Sequence, residues 1–140
     1  MSILQTTNLC KTYGQKPNIV KALDGVTITV DKGEFVAIIG TSGSGKSTLL
    51  HMLGGLDRPT SGNVKVDNFE LGKLNDETLT VFRRQRIGFI FQNYNLVPVL
   101  SVWENIIFPI TLDGKTPDQQ FIMEIVKLLG LEKKLDNLPN

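Results

Sequence analysis

A chain of 140 residues, 41% hydrophobic and 21% charged, is long enough to enclose one sizeable core, and its composition excludes disorder. Fifteen basic and 14 acidic residues nearly cancel and no long basic run occurs, which removes the electrostatic ground for nucleic acid as a partner. The single cysteine, Cys10, excludes an internal disulfide and suits a reducing compartment, and no apolar stretch approaches the ~20 residues that span a bilayer.

In chain order, Ile3 to Leu9 reads as a strand and Lys11 to Gln15 as a turn carrying Tyr13 and Gly14. Tyr13 has two readings, a structural tyrosine or a ring that stacks on a nucleotide base; stacking by the face of the ring would let Phe or Trp replace it. Alternation of Leu23, Val26, Ile28 and Val30 predicts a second strand with one buried face, ending in the turn Asp31 to Glu34. Phe35 to Ile39 then reads as a buried strand leading into GTSGSGKST, residues Gly40 to Thr48. Gly40, Gly45, Lys46 and Ser47 match GxxxxGK[ST], the phosphate-binding P-loop. Glycines let the backbone wrap an anion, and the helix that opens near Lys46 adds its positive end. Lys46 supplies a mobile charge for β- and γ-phosphates, and the Ser47 hydroxyl suits Mg²⁺.

That helix carries Leu49, Leu50, Met52 and Leu53 and stops at Gly54-Gly55. His51, the only histidine, lacks neighbours at metal-ligand spacing and reads as incidental. Asp57 to Gly62 is a turn leading to a strand at Asn63 to Asp67. Leu79 to Arg86 is helical, and Arg83, Arg84 and Arg86 read as its solvated end. Ile87 to Phe91 has the apolar run of a buried strand and delivers Gln92 at its C-terminal end. Ser101 to Glu104 and Thr116 to Gln119 both have capping-box spacing, so two more helices start there, the second with Phe121, Ile122, Ile125, Val126 and Leu129 on one face and a stop at Gly130. Trp103 reads as a packing residue, with a surface anchor for a partner helix as the alternative.

Taken together, Tyr13, GTSGSGKST at 40–48, LDRPTSG at 56–62 and FIFQNYNLVPVLSVWENI at 89–106 resemble the nucleotide-binding domain of ABC transporters. The wording is closest to the bacterial macrolide-export, lipoprotein-release and antimicrobial-peptide-resistance group. The resemblance implies an α/β P-loop NTPase core of the ABC ATPase type with an antiparallel β subdomain, about 1–96, and the start of a helical subdomain, about 97–140. It implies ATP and Mg²⁺ as ligands: Tyr13 on the adenine; Gly40, Thr41, Ser42, Gly43, Ser44, Gly45, Lys46, Ser47 and Thr48 on the phosphates; Ser47 and Gln92 on Mg²⁺; Lys46 and Gln92 in catalysis. The implied partners are a membrane permease and a second nucleotide-binding domain, with no nucleic acid, at the inner face of the cell membrane. The LSGGQ signature, Walker B strand and switch histidine of that family do not occur in residues 1–140. The chain is therefore expected to be C-terminally incomplete and inactive in hydrolysis by itself, and a non-catalytic nucleotide-binding or regulatory fragment is the alternative. A GTPase or small-molecule kinase is disfavoured by the lack of an NKxD motif.

Overall fold

The computed structural model describes residues 1–139, which divide into two compact units, Met1–Phe89 and a second from Ile90 onward. The first unit is built on an antiparallel sheet of β1 (Ser2–Tyr13), β2 (Val20–Val26), β3 (Thr29–Asp31), β4 (Ser61–Val66) and β5 (Phe69–Glu70). β1 is the common element. It pairs β3 through Ser2 to Gln5, β4 from Leu4 to Cys10, and β2 from Leu9 to Tyr13.

Register shifts at Leu9/Lys11 and Lys11/Thr12 and a left-handed Asn8 (φ 46°) bend β1 where it passes from one set of partners to the next. The turn expected at Lys11 to Gln15 is thus displaced: Lys11 to Tyr13 remain in the strand, held by β2, and the chain turns after Tyr13. The single strand expected from Val20 to Val30 is broken in two, with Gly25 at φ 74° near the break. The buried Thr6 fills that break, its hydroxyl donating to the Val26 carbonyl (3.0 Å) and accepting from the Ile28 N–H (3.0 Å). Buried polar groups need such partners, and here one side chain serves two strand ends.

Helix α1 (Lys46–Leu53) lays the buried Leu49 and Met52 against the sheet residues Leu9, Leu23, Val64 and Val66. Helix α2 (Asp76–Arg86), capped by the Asn75 side chain on the Thr78 N–H, adds Leu79 and Phe82 to this core. Its arginines stand at the helix end, Arg84 and Arg86 exposed as expected and Arg83 half-buried. Arg83 donates to the Gly55 carbonyl (2.8 Å) and Arg86 to Asp67 (2.9 Å).

The buried strand expected at 35–39 is absent from the sheet; the segment has no regular secondary structure, with Phe35 98% and Ile39 89% exposed and only Ile38 reaching the core. The strand expected at 87–91 is likewise outside the sheet, with Ile87 packed on the core. The physical reason is topological. The sheet is formed by antiparallel neighbours of β1 drawn from residues 20–31 and 61–66, whereas a parallel strand depends on parallel partners brought from elsewhere. Exposed apolar segments invite association. The chain is expected to self-associate in a concentration-dependent way in sedimentation velocity, and Phe35→Asp with Ile39→Asp to weaken that association. A wild-type chain that stays monomeric across the concentration range would contradict this.

The second unit holds α3 (Val102–Leu112) and α4 (Gln119–Leu128). The expected capping box at Ser101 is present: its hydroxyl accepts from the Glu104 N–H (3.2 Å) and Glu104 accepts from the Ser101 N–H (2.7 Å). That Ser101 N–H, with the Ser101 hydroxyl, holds the Glu104 carboxyl below its ordinary value, so the cap is complete at neutral pH and weakens as the pH falls through the lowered value. Ser101→Ala should cost about 1 kcal/mol of unfolding free energy in denaturant titration. A loss indistinguishable from zero would show the cap to be energetically idle. Asn105, one turn into α3, accepts from the Val97 N–H and donates to the Val97, Leu100 and Ser101 carbonyls, fixing the loop before the helix.

The second expected box is corrected by two residues. Asp118, not Thr116, caps α4, accepting from the Phe121 N–H at 3.0 Å, so Pro117 precedes the helix and does not open it. Ile122 and Val126 of the apolar face are buried, and Gly130 (φ 67°) follows the helix as expected. Phe121 and Leu129, from the same face, stay exposed.

Candidate nucleotide-binding site

Residues 40–45 form the loop between the 35–39 segment and α1, and two of its glycines are required by geometry. Gly45, at φ 89°, is the N-cap of α1; a Cβ there would lie 2.3 Å from the Ala22 carbonyl oxygen. The loop thus presses directly on the β2 backbone. Gly43 is also left-handed (φ 77°), yet a Cβ at that position meets nothing within 4 Å. No side chain caps α1 and no acidic residue stands in its first turn, which leaves its positive end facing the loop.

Lys46 folds its ammonium back over the loop, donating to the Gly40 carbonyl (2.9 Å), the Thr41 carbonyl (2.6 Å) and the Ser44 hydroxyl (3.4 Å). The charge is therefore held at the mouth of the loop and is exchangeable, since each of these partners is neutral. A pocket of about 220 Å³ opens here, lined by Gly43, Ser44, Gly45, Lys46, Ser47 and Thr48 on one side and by the β2 residues Val20, Lys21 and Ala22 on the other. The donor set fits a polyphosphate: a helix N-terminus, loop N–H groups, a lysine and the three hydroxyls of Ser44, Ser47 and Thr48.

Tyr13 is tied to this pocket through the sheet, because it stands opposite Val20 in the β1–β2 ladder. Tyr13 is 41% exposed. The hydroxyl is engaged, donating to the Asp57 carboxylate at 3.0 Å. Gln92 belongs to the second unit, where it is exposed in a turn just after Phe91. His51 is exposed on α1, and among the described residues no cluster of three potential metal ligands occurs. Cys10 lies half-buried in β1, its sulfur accepting from the Gly25 N–H (3.1 Å).

Sequence reasoning missed Val20, Lys21 and Ala22 as pocket walls and Lys11 and Asp57 as neighbours of Tyr13. The alternation marking β2 as a strand was visible, but its register against β1 was not.

A glycine-rich loop running into an uncapped helix, beside an antiparallel subdomain, defines an α/β P-loop NTPase module of the ABC ATPase type. The profile of the ABC transporter family matches residues 23–140, and the chain belongs to that family. It is 42% identical over 143 residues to the bacitracin export ATP-binding protein BceA of Halalkalibacterium halodurans, covering 100% of this chain and 56% of that protein. It is 41% identical over 140 residues to the lipoprotein-releasing system ATP-binding protein LolD of Cytophaga hutchinsonii, covering 99% and 62%. The ATP-binding cassette MJ0796, solved as a dimer in a post-hydrolysis state bound to ADP and Pi, superposes with a TM-score of 0.87 at 38% identity, covering 98% of this chain and 62% of the other. The chain thus spans between 56% and 62% of the length of these relatives.

Proposed function

We propose that this chain docks ATP for an ABC transporter, as the nucleotide-binding part of a cassette that works with a separate membrane permease and pairs with a second cassette. The observation that carries the reading is the pocket between Gly43 to Thr48 and the β2 residues Val20 to Ala22, with the Lys46 ammonium at its mouth. Lys46 and the N–H groups opening α1 bind the β- and γ-phosphates, and residues 41, 42 and 44 shape the loop that surrounds them. Tyr13 stacks on the adenine. Ser47 and Gln92 would hold Mg²⁺, which would neutralise phosphate charge.

In the assembled cassette, water attacks the γ-phosphorus and the bond to the bridging oxygen breaks, giving ADP and inorganic phosphate. Lys46 holds the charge that builds on the phosphate oxygens, and Gln92 orients the water. Bacitracin export and lipoprotein release are what the names of the two relatives state; the cargo here is set by the permease. No helix among the described residues is long and apolar enough to cross a membrane, in keeping with attachment through the permease at its cytoplasmic face.

The test is calorimetric titration with ATP, ADP and AMP in the presence of Mg²⁺, below the concentration at which the chain self-associates. ATP and ADP are expected to bind and AMP to bind at least about tenfold more weakly, because the loop grips phosphates that AMP lacks. Equal affinities for ATP and AMP would overturn the assignment.

A further inference from the structure

Tyr13 is gripped by a pair of charged residues that the nucleotide reading does not use. Asp57 lies in the turn after α1. One of its carboxylate oxygens accepts from the Tyr13 hydroxyl (3.0 Å), and the other accepts from the Lys11 ammonium (2.7 Å) and from the Arg58 N–H (2.7 Å). Lys11 also donates to the Arg58 carbonyl (2.7 Å) and lies over the Tyr13 ring, 4.9 Å from its centroid. Its side chain is only 12% exposed. Two further bonds fasten the strand to the same turn: the Thr12 N–H donates to the Thr60 hydroxyl (3.0 Å), and the Thr60 N–H to the Cys10 carbonyl (2.9 Å). Desolvation pushes the Asp57 carboxyl up, but the hydrogen bonds from Lys11, Arg58 and Tyr13 outweigh it, leaving the group below the ordinary aspartate value and ionised at neutral pH.

A tyrosine at a strand end, nearly half exposed, has rotamers to lose when it stacks on a base. Here the loss is already met. Hydroxyl and ring face are both held, and the hold comes from the segment that directly follows the phosphate-binding helix. The ammonium lies over one face of the ring, and the residue as a whole is 41% exposed.

We propose that Lys11 and Asp57 are positioning residues for Tyr13, forming a strut that ties the base-stacking ring to the far end of the phosphate-binding helix. The strut sets the distance between base contact and phosphate contact and orients the ring before nucleotide arrives. This rests on the reading of Tyr13 as the base contact.

The experiment titrates wild type, Tyr13→Ala, Tyr13→Phe, Asp57→Ala and the Tyr13→Phe/Asp57→Ala double variant with ATP and, separately, with inorganic tripolyphosphate, which has phosphates and no base. Tyr13→Phe and Asp57→Ala should each weaken ATP binding about threefold to tenfold, a fraction of a full stacking contact. The double variant should lose no more than the worse single one, because both act through one bond. Tripolyphosphate affinity should stay within about twofold throughout. Tyr13→Phe keeps the ring and the packing, so it remains informative even if Asp57→Ala fails to fold.

Wild-type ATP affinity in Tyr13→Phe and Asp57→Ala, with a loss in Tyr13→Ala, would overturn the strut while leaving the stacking role intact. Parallel losses for ATP and tripolyphosphate would overturn it too, by showing that Asp57 acts through the phosphate loop. No effect of Tyr13→Ala on ATP would remove the stacking reading, and the strut with it.

Discussion

Lys46→Ala is expected to lower the affinity for ATP with Mg²⁺ by one to two powers of ten. The lysine is the one mobile charge on the loop, and its ammonium already sits among the loop oxygens, 2.6 Å from the Thr41 carbonyl and 2.9 Å from that of Gly40. A charge-assisted contact of this kind contributes ~1.5 to 3 kcal/mol, and each 1.4 kcal/mol is about a factor of ten in affinity. The loss should fall equally on ATP and tripolyphosphate, since the contact is to phosphate. Because Lys46 contributes no apolar surface to the core, the unfolding midpoint should hardly move. Calorimetric titration reads the first effect and denaturant unfolding the second. Unchanged ATP affinity in the variant would withdraw Lys46 from the phosphate site.

The second large effect belongs to Gly45→Ala, read against Gly43→Ala. Both glycines are left-handed, at φ 89° and 77°, so both substitutions carry a backbone penalty of ~1 kcal/mol or somewhat more. Only at Gly45 does the new Cβ meet the fold, 2.3 Å from the Ala22 carbonyl oxygen, a separation no real carbon tolerates. The loop must lift off β2 or the strand must bend, and overpacking of this sort costs a further ~1 to 3 kcal/mol. Against a domain stability of ~5 to 15 kcal/mol, the sum is a large share. Gly45→Ala should therefore lower the denaturant midpoint well beyond Gly43→Ala and, by widening the pocket wall formed by Ala22, reduce ATP affinity as well. Equal destabilisation by the two substitutions would mean that the contact with Ala22 is not what requires glycine at 45.

What was legible in the sequence was whatever depends on neighbours a few residues away. The loop at 40–48, with Gly43 and Gly45 left-handed and Lys46 folded over it, is a run of backbone conformations that glycine encodes locally. The same holds for the box at Ser101 and Glu104 and for the stops at Gly54-Gly55 and Gly130, whose partners lie within one helical turn. The Thr116 box misled for the same reason, because Asp118 two residues later offers a carboxylate to the same helix start and the spacing cannot rank the two.

Tertiary structure decided everything that depends on register or on distant partners. The bends in β1 keep Lys11 and Tyr13 on the strand and set Tyr13 opposite Val20, bringing the ring beside a pocket walled by β2. The turn after α1 returns Asp57 to Tyr13 across 44 residues of sequence, a pairing that no local pattern announces. Apolar runs at 35–39 and 87–91 read as buried strands because hydrophobicity is a property of the segment alone. Whether such a run is buried depends on which chain segments come to lie beside it, and the antiparallel sheet built on β1 does not include either of them.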